Sequence, residues 1–231
     1  MSKSRGNVVN PDDIVDVYGG DAMRLYEMFM GPLEAVKPWQ TEQIAGVVRF
    51  RDRAYSLAGK LVAQADAGEG VAMSEETTRL LHQTVRKVTA DVEALAFNTA
   101  ISQMMVFSNH LASLPKDALP REPVHKLTLL LAPFAPHLAE EMWSMLGGEG
   151  TLTYEPWPTF DESLCVETSV TMGVQVNGKA RGEIKIAKDA DEATARELAL
   201  ADPKVAKFVG DKEIKKFVYV PGRIVNIVVG K

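Results

Sequence analysis

Val170-Thr171-Met172-Gly173-Val174-Gln175-Val176-Asn177-Gly178 is where the chain changes its hydrophobic period. Val170, Met172, Val174 and Val176 alternate with smaller or polar residues, the period of two expected of a strand with one buried face. Asn177-Gly178 is a pair that readily adopts two successive positive φ values and so closes a tight hairpin. Residues 183–187 complete the hairpin. Residues 191–201 then read as a helix with Leu198 as its largest apolar residue, followed by a short helical turn over 205–209. Strands over 215–220 and 223–229 flank a Pro221-Gly222 turn. This end of the chain is therefore a small β-β-α-β-β module.

Before Pro156-Trp157-Pro158 the period is helical. Val47, Phe50, Ala54, Leu57 and Leu61 follow the three-four spacing of one buried stripe, with Arg49, Arg53 and Lys60 on another face. Residues 68–70 are a turn. Ser74, followed by Glu75 and Glu76, caps a second helix whose stripe is Leu81, Val85, Val88, Val92 and Leu95. A third helix starts at Phe97-Asn98-Thr99-Ala100-Ile101 and continues through Met104, Ser108 and Leu111. A fourth spans about 123–131. Pro133 and Pro136 bracket a fifth, which stops at Gly147-Gly148. Short loops between amphipathic helices predict an antiparallel bundle. The fold class is α+β, a helical bundle followed by the small β-containing module.

Composition narrows the function classes. The 231 residues hold 46% hydrophobic and 25% charged residues, ordinary for a globular protein of one or two domains. No apolar run has the length of a membrane span, and the first residues form no secretory signal, so a cytoplasmic location and no membrane partner are expected. A single cysteine, Cys165, excludes an internal disulfide and a multi-cysteine zinc site. The four histidines, His82, His110, His125 and His137, have no ligand-like spacing and read as structural, so no metal site is expected. The net charge of −5 is uneven: Val170 to Lys231 has 12 Lys/Arg against 8 Asp/Glu. A basic end on an acidic body points to a local polyanion contact. A plain solvated surface is the alternative.

The chain starts Met1-Ser2-Lys3-Ser4-Arg5-Gly6-Asn7, followed by Asn10-Pro11-Asp12-Asp13. The latter is a helix start, with Asn as cap, Pro in the first turn and two carboxylates at the positive end of the dipole. Tyr18-Gly19-Gly20-Asp21-Ala22 stops and restarts that helix. The whole stretch through Met23-Arg24-Leu25-Tyr26 resembles the KMSKS signature loop of class I aminoacyl-tRNA synthetases and the segment that follows it. Phe97 to Ile101 and Leu131-Ala132-Pro133-Phe134-Ala135-Pro136-His137-Leu138 resemble the anticodon-binding-type helical domain of that class. Val174 to Gly182, Ala199 to Asp202 and Val220 to Val229 resemble the end of bacterial-type leucyl-tRNA synthetases. Met30-Gly31-Pro32-Leu33-Glu34 and Trp39 fit the same type.

The resemblance implies three parts: residues 1–40 as signature loop and connector of a catalytic core, 41–160 as the helical domain, and 161–231 as a tRNA-binding α+β domain. It implies ATP-dependent activation of leucine, with Mg2+ accompanying ATP, and transfer to tRNA(Leu). Lys3 is then the catalytic residue, and Ser2, Lys3 and Ser4 contact ATP and pyrophosphate. A cation on a mobile loop favours a transition state whose leaving group is strongly anionic. The HIGH signature, nucleotide-binding sheet and editing insertion lie outside these residues, so the chain by itself is expected to be inactive.

Lys179 and Arg181 follow the hairpin turn, where the strands hold them still and the turn projects them toward phosphate. Lys212, Lys215, Lys216 and Arg223 offer similar charges in the same module. Arg49 and Arg53 would face the tRNA stem. Ordinary solvated charge remains the alternative for each. No DNA partner is implied. Two other functions stay open: a freestanding tRNA-binding module without catalysis, and a fragment of an isoleucyl, valyl or methionyl enzyme.

Overall fold

The computed structural model describes residues 8–64, 70–115, 117–166, 169–210 and 212–230. The chain forms two compact units, Met1–Cys165 and Val166–Lys231, and its class is α+β.

The first unit is helical. Asn10 is extended and its side chain accepts the Asp12 N–H at 3.4 Å, so α1 (Pro11–Tyr18) begins at the expected cap. Gly19, at φ +87, ends α1 and begins α2 (Gly20–Phe29), a conformation that favours glycine. A single 3-10 turn at Thr41–Gln43 leads into α3 (Ile44–Val62). The predicted stripe of α3 is buried, joined by Ile44 and Ala58.

Ser74 caps α4 (Glu75–Glu93), its Oγ accepting the Thr77 N–H at 3.1 Å. Leu81, Val85 and Val88 are buried, but the predicted stripe does not reach Leu95, which is 58% exposed. The helix has ended by then. Leu95 sits at φ +56 in the turn, and the Ala96 N–H closes back onto the Asp91 carbonyl at 2.7 Å. Asp91 holds that turn: its carboxylate accepts from Thr99 Oγ1 at 2.7 Å and pairs with Lys87.

Helix α5 (Phe97–Ser113) buries Ile101, Met104, Phe107 and Leu111. Helix α6 (Arg121–Leu131) and α7 (Pro136–Met145) complete the bundle. Gly147, at φ +78, follows α7, and the Trp143 indole lies where a Cβ on Gly148 would stand. Ile14, Leu25 and Tyr26 share one core with Phe50, Phe107 and Phe134. Helices α1 and α2 therefore pack into the bundle. Each large side chain so buried contributes about 1.5–3 kcal/mol.

The second unit is a four-stranded sheet covered by two helices. Its strands are β1 (Ser169–Val176), β2 (Lys179–Ala187), β3 (Ile214–Val220) and β4 (Ile224–Val229), in the order β2-β1-β4-β3. The central pair β1–β4 is parallel and both flanking pairs are antiparallel. Alternation places Met172, Val174, Val176, Ile184, Ile186, Val225, Ile227 and Val229 in one core with the helices.

Helix α8 (Glu192–Ala201) is capped by Asp191, and α9 (Pro203–Val209) by Asp202. The expected short turn over 205–209 is thus a helix starting two residues earlier. Leu198 does not face the core: it is exposed, and Ala195 and Ala199 are buried instead. Small residues there let α8 lie close to the sheet, and Tyr219 fixes the approach by donating to the Ala190 carbonyl at 2.8 Å.

Candidate nucleic-acid interface

The sheet positions the cations of the second unit through its ends and its register. Asn177 (φ +50) and Gly178 (φ +77) form the β1–β2 turn with two left-handed residues. The turn is stitched to β4. Asn177 Oδ1 accepts the Val229 N–H at 3.0 Å, and Asn226 Oδ1 accepts the Gly178 N–H at 3.1 Å. Lys179 leaves this braced turn exposed to solvent.

Between β1 and β2 the register shifts. Val174 pairs with Gly182 and Gln175 with Ala180, so Arg181 is the extra residue of a bulge. Its guanidinium carbon stands 3.8 Å from the centroid of the Phe208 ring on α9. Gly182 permits that approach: a Cβ there would lie 2.7 Å from Val205 Cγ2 and 3.0 Å from Asp202 Oδ1.

Lys215 and Lys216 are exposed at the start of β3, next to a second register shift. Val176 pairs with Ile227 and Ile214 with Val229, so Lys179, Lys215 and Lys216 share one end of the sheet. Three strand spacings, roughly 14 Å, separate the two edges. Arg223 is exposed in the β3–β4 turn, and Gly173 pairs with Ile224, which puts it at the opposite end. Lys212 is exposed ahead of β3.

In the helical unit the two arginines differ. Arg49 is exposed on α3. Arg53 is half-buried, and its Nε donates to Ser108 Oγ at 3.2 Å, so that edge of its guanidinium is turned toward the bundle. Ser2, Lys3 and Ser4 lie outside the described residues. The helices that follow them are fastened to the bundle by groups the spacing did not single out. Asp21, almost fully buried, accepts the Leu138 N–H at 2.6 Å, and its other oxygen is 2.9 Å from His137 Nδ1. Arg24 donates to the Pro133 carbonyl at 2.8 Å and the Phe134 carbonyl at 3.3 Å. Arg51 donates to the Tyr18 carbonyl at 2.5 Å. Beside these helices Ile14, Met23, Met28 and Trp39 line an open, mainly apolar groove crossed by Glu27 and Lys37.

The other three histidines and Cys165 have structural surroundings. His82 Nδ1 accepts the Asp161 N–H at 2.9 Å, and His110 Nε2 is 2.9 Å from Thr77 Oγ1. His125 packs on Trp143, with ring centroids 4.8 Å apart. Burial pushes the Cys165 thiol above its ordinary range. Among the described residues, no group of three or more His, Cys, Asp or Glu is placed to hold a metal ion, and no helix is long and apolar enough to cross a membrane.

The chain is 58% identical over 230 residues to the leucine–tRNA ligase of Sorangium cellulosum (strain So ce56), covering all of this chain and 26% of that protein. It is 48% identical over 233 residues to the leucine–tRNA ligase of Rhodopirellula baltica, covering 99% of this chain and 24% of that protein. The chain thus spans about a quarter of the length of these relatives. Among solved structures it is similar to the LeuRS–tRNA–LeuAMS ternary complex of Agrobacterium radiobacter K84. The TM-score there is 0.66 and the identity 32%, over all of this chain and 31% of that one. Residues 76–196 match the anticodon-binding domain of tRNA ligase, more than half of the 231 residues, and the chain belongs to that family.

Proposed function

We propose that this chain is the tRNA-positioning part of a leucine–tRNA ligase. The observation that carries the reading is identity of 58% to such a ligase along the full length of the chain. In this reading Lys3 offsets the charge developing on pyrophosphate while leucine is activated by ATP and its Mg2+. Ser2 and Ser4 flank it as hydrogen-bonding groups. ATP and leucine are otherwise held by parts of the ligase that these residues do not supply, so the chain alone is inactive. The apolar groove beside Ile14 and Trp39 suits a contact with those parts.

The second unit grips tRNA(Leu). Lys179 and Arg181 contact phosphate from the braced hairpin, and Lys215 and Lys216 add charge at the same end of the sheet. Arg49 and, more weakly, Arg53 and Arg223 contribute from other surfaces. The assembled enzyme works in the cytoplasm.

The test is binding of the purified chain to tRNA(Leu) and to an unrelated tRNA across a salt series, beside a Lys179→Ala/Arg181→Ala variant. Preferential binding whose salt dependence becomes shallower in the variant is expected. Equal binding of both tRNAs, unchanged by the double substitution, would sink the reading for the hairpin. Leucylation on adding the remainder of the ligase, lost in Lys3→Ala, tests the signature loop.

A further inference from the structure

Arg181 is not a freely solvated charge. As the extra residue of a β-bulge it is turned out of the strand alternation, and its guanidinium stacks on Phe208 at 3.8 Å. Phe208 is 42% exposed although it belongs to a short helix packed on the sheet. The buried face of α9 is Val205 and Val209. Lys204 is four residues before Phe208 and Lys207 is next to it, and both are exposed. Residues four apart on a helix are neighbours, so Lys204 and Phe208 share a face. The nearby carboxylate of Asp202 is engaged at the start of α9, where Oδ1 accepts the Lys204 and Val205 N–H groups at 2.8 and 2.9 Å.

A flexible arginine loses rotamer freedom when it grips a phosphate. One already stacked on a ring has lost that freedom beforehand, while the edge donors of its planar fork stay available. We propose that Phe208 is a positioning residue that pre-orders Arg181. Arg181, Lys204 and Lys207 then form one phosphate-binding surface running from the β-bulge onto α9. This inference rests on the tRNA-binding reading above and extends its surface beyond the hairpin.

The experiment measures binding of the full chain to tRNA(Leu) over a salt series for Arg181→Ala, Phe208→Leu, Phe208→Tyr, the Arg181→Ala/Phe208→Leu pair and Lys204→Ala/Lys207→Ala. Arg181→Ala should weaken binding and make the log–log salt slope shallower by about one. Phe208→Leu should weaken it about 2–5-fold with the slope unchanged, because it removes order and no charge. Phe208→Tyr should bind like the parent and shows that the ring, not the phenylalanine as such, is needed. The Arg181/Phe208 pair should bind no more weakly than Arg181→Ala alone, and the lysine pair should flatten the slope. Wild-type affinity in Phe208→Leu while Arg181→Ala is weakened overturns this inference alone, as does full additivity in the pair. No effect of Arg181→Ala removes this inference together with Arg181's part in the hairpin reading.

Discussion

Asp21 caps a helix far along the chain: its carboxylate accepts the Leu138 N–H at 2.6 Å across a separation of 117 residues. Pro136 and His137 open α7, so Leu138 presents one of the unpaired N–H groups of a first turn. The same carboxylate lies against His137. Asp21→Ala leaves a buried N–H without its partner, and we expect a loss of about 1–3 kcal/mol in urea unfolding. Asp21→Asn keeps an acceptor of the same shape and should lose less. An Asp21→Ala midpoint equal to the parent's would show that the cap contributes nothing.

Gly182 tests the seating of α9. A methyl group there meets Val205 Cγ2 at 2.7 Å and Asp202 Oδ1 at 3.0 Å, and Val205 is fully buried. We expect Gly182→Ala to push α9 away from β2 at a cost of about 1–3 kcal/mol. Amide chemical shifts of 202–209 should move. Unmoved shifts in α9 would mean the sheet absorbs the methyl group.

How much of this was legible in the sequence depends on the distance over which each feature is fixed. Stripes such as Val47-Phe50-Ala54-Leu57, the Ser74 cap and the Asn177-Gly178 turn follow from neighbours within a few residues, and they form where expected. Leu95 falls off the stripe assigned to it because periodicity registers size and spacing, not where a helix ends, and Leu198 is exposed although it is the largest apolar residue of its helix because size alone does not say how closely a helix approaches a sheet. Asp21 and Arg24 left no local pattern, since their partners lie more than 100 residues away. Arg181 was visible as a charge after a turn. Its stacking on Phe208 depends on a register shift that alternation does not reveal. Gly182 was the available signal, because glycine inside a strand often marks a bulge or the close approach of another element.

Asn177 has two separable roles. It holds φ +50, which asparagine tolerates better than alanine, and its side chain accepts the Val229 N–H. Asn177→Gly keeps the turn and loses the stitch; Asn177→Ala loses both. Unfolding of the second unit should therefore rank parent, Gly, Ala, with the parent-to-Ala difference about 1–2 kcal/mol. Alanine as stable as glycine would remove the conformational part of the argument.

Two histidines held below their ordinary pKa should make the helical unit sensitive to mild acid. Burial, aided by Lys126, lowers His82 below its ordinary value of 6.5, against opposing effects from Glu122 and Asp161. Burial, aided by Arg121, does the same for His125, opposed by Glu155. Neutral His82 can accept the Asp161 N–H through Nδ1; the protonated ring cannot. For a base whose folded pKa lies below its unfolded one, the unfolded chain takes up the proton first. Stability is then complete above about pH 6.5 and falls as pH drops through that value toward the folded pKa. The depressed carboxyls of Glu140, Asp161 and Asp191, held down mainly by hydrogen bonds, act lower: their contribution is present above the ordinary carboxylate values and disappears as pH falls through the folded ones. The urea midpoint of the helical unit should therefore drop between about pH 7.5 and pH 5.5. A His82→Asn/His125→Phe variant retains an acceptor at one site and a ring against Trp143 at the other, with neither group titrating. Its midpoint should change less across that range; an equal drop in parent and variant would assign the sensitivity to other groups.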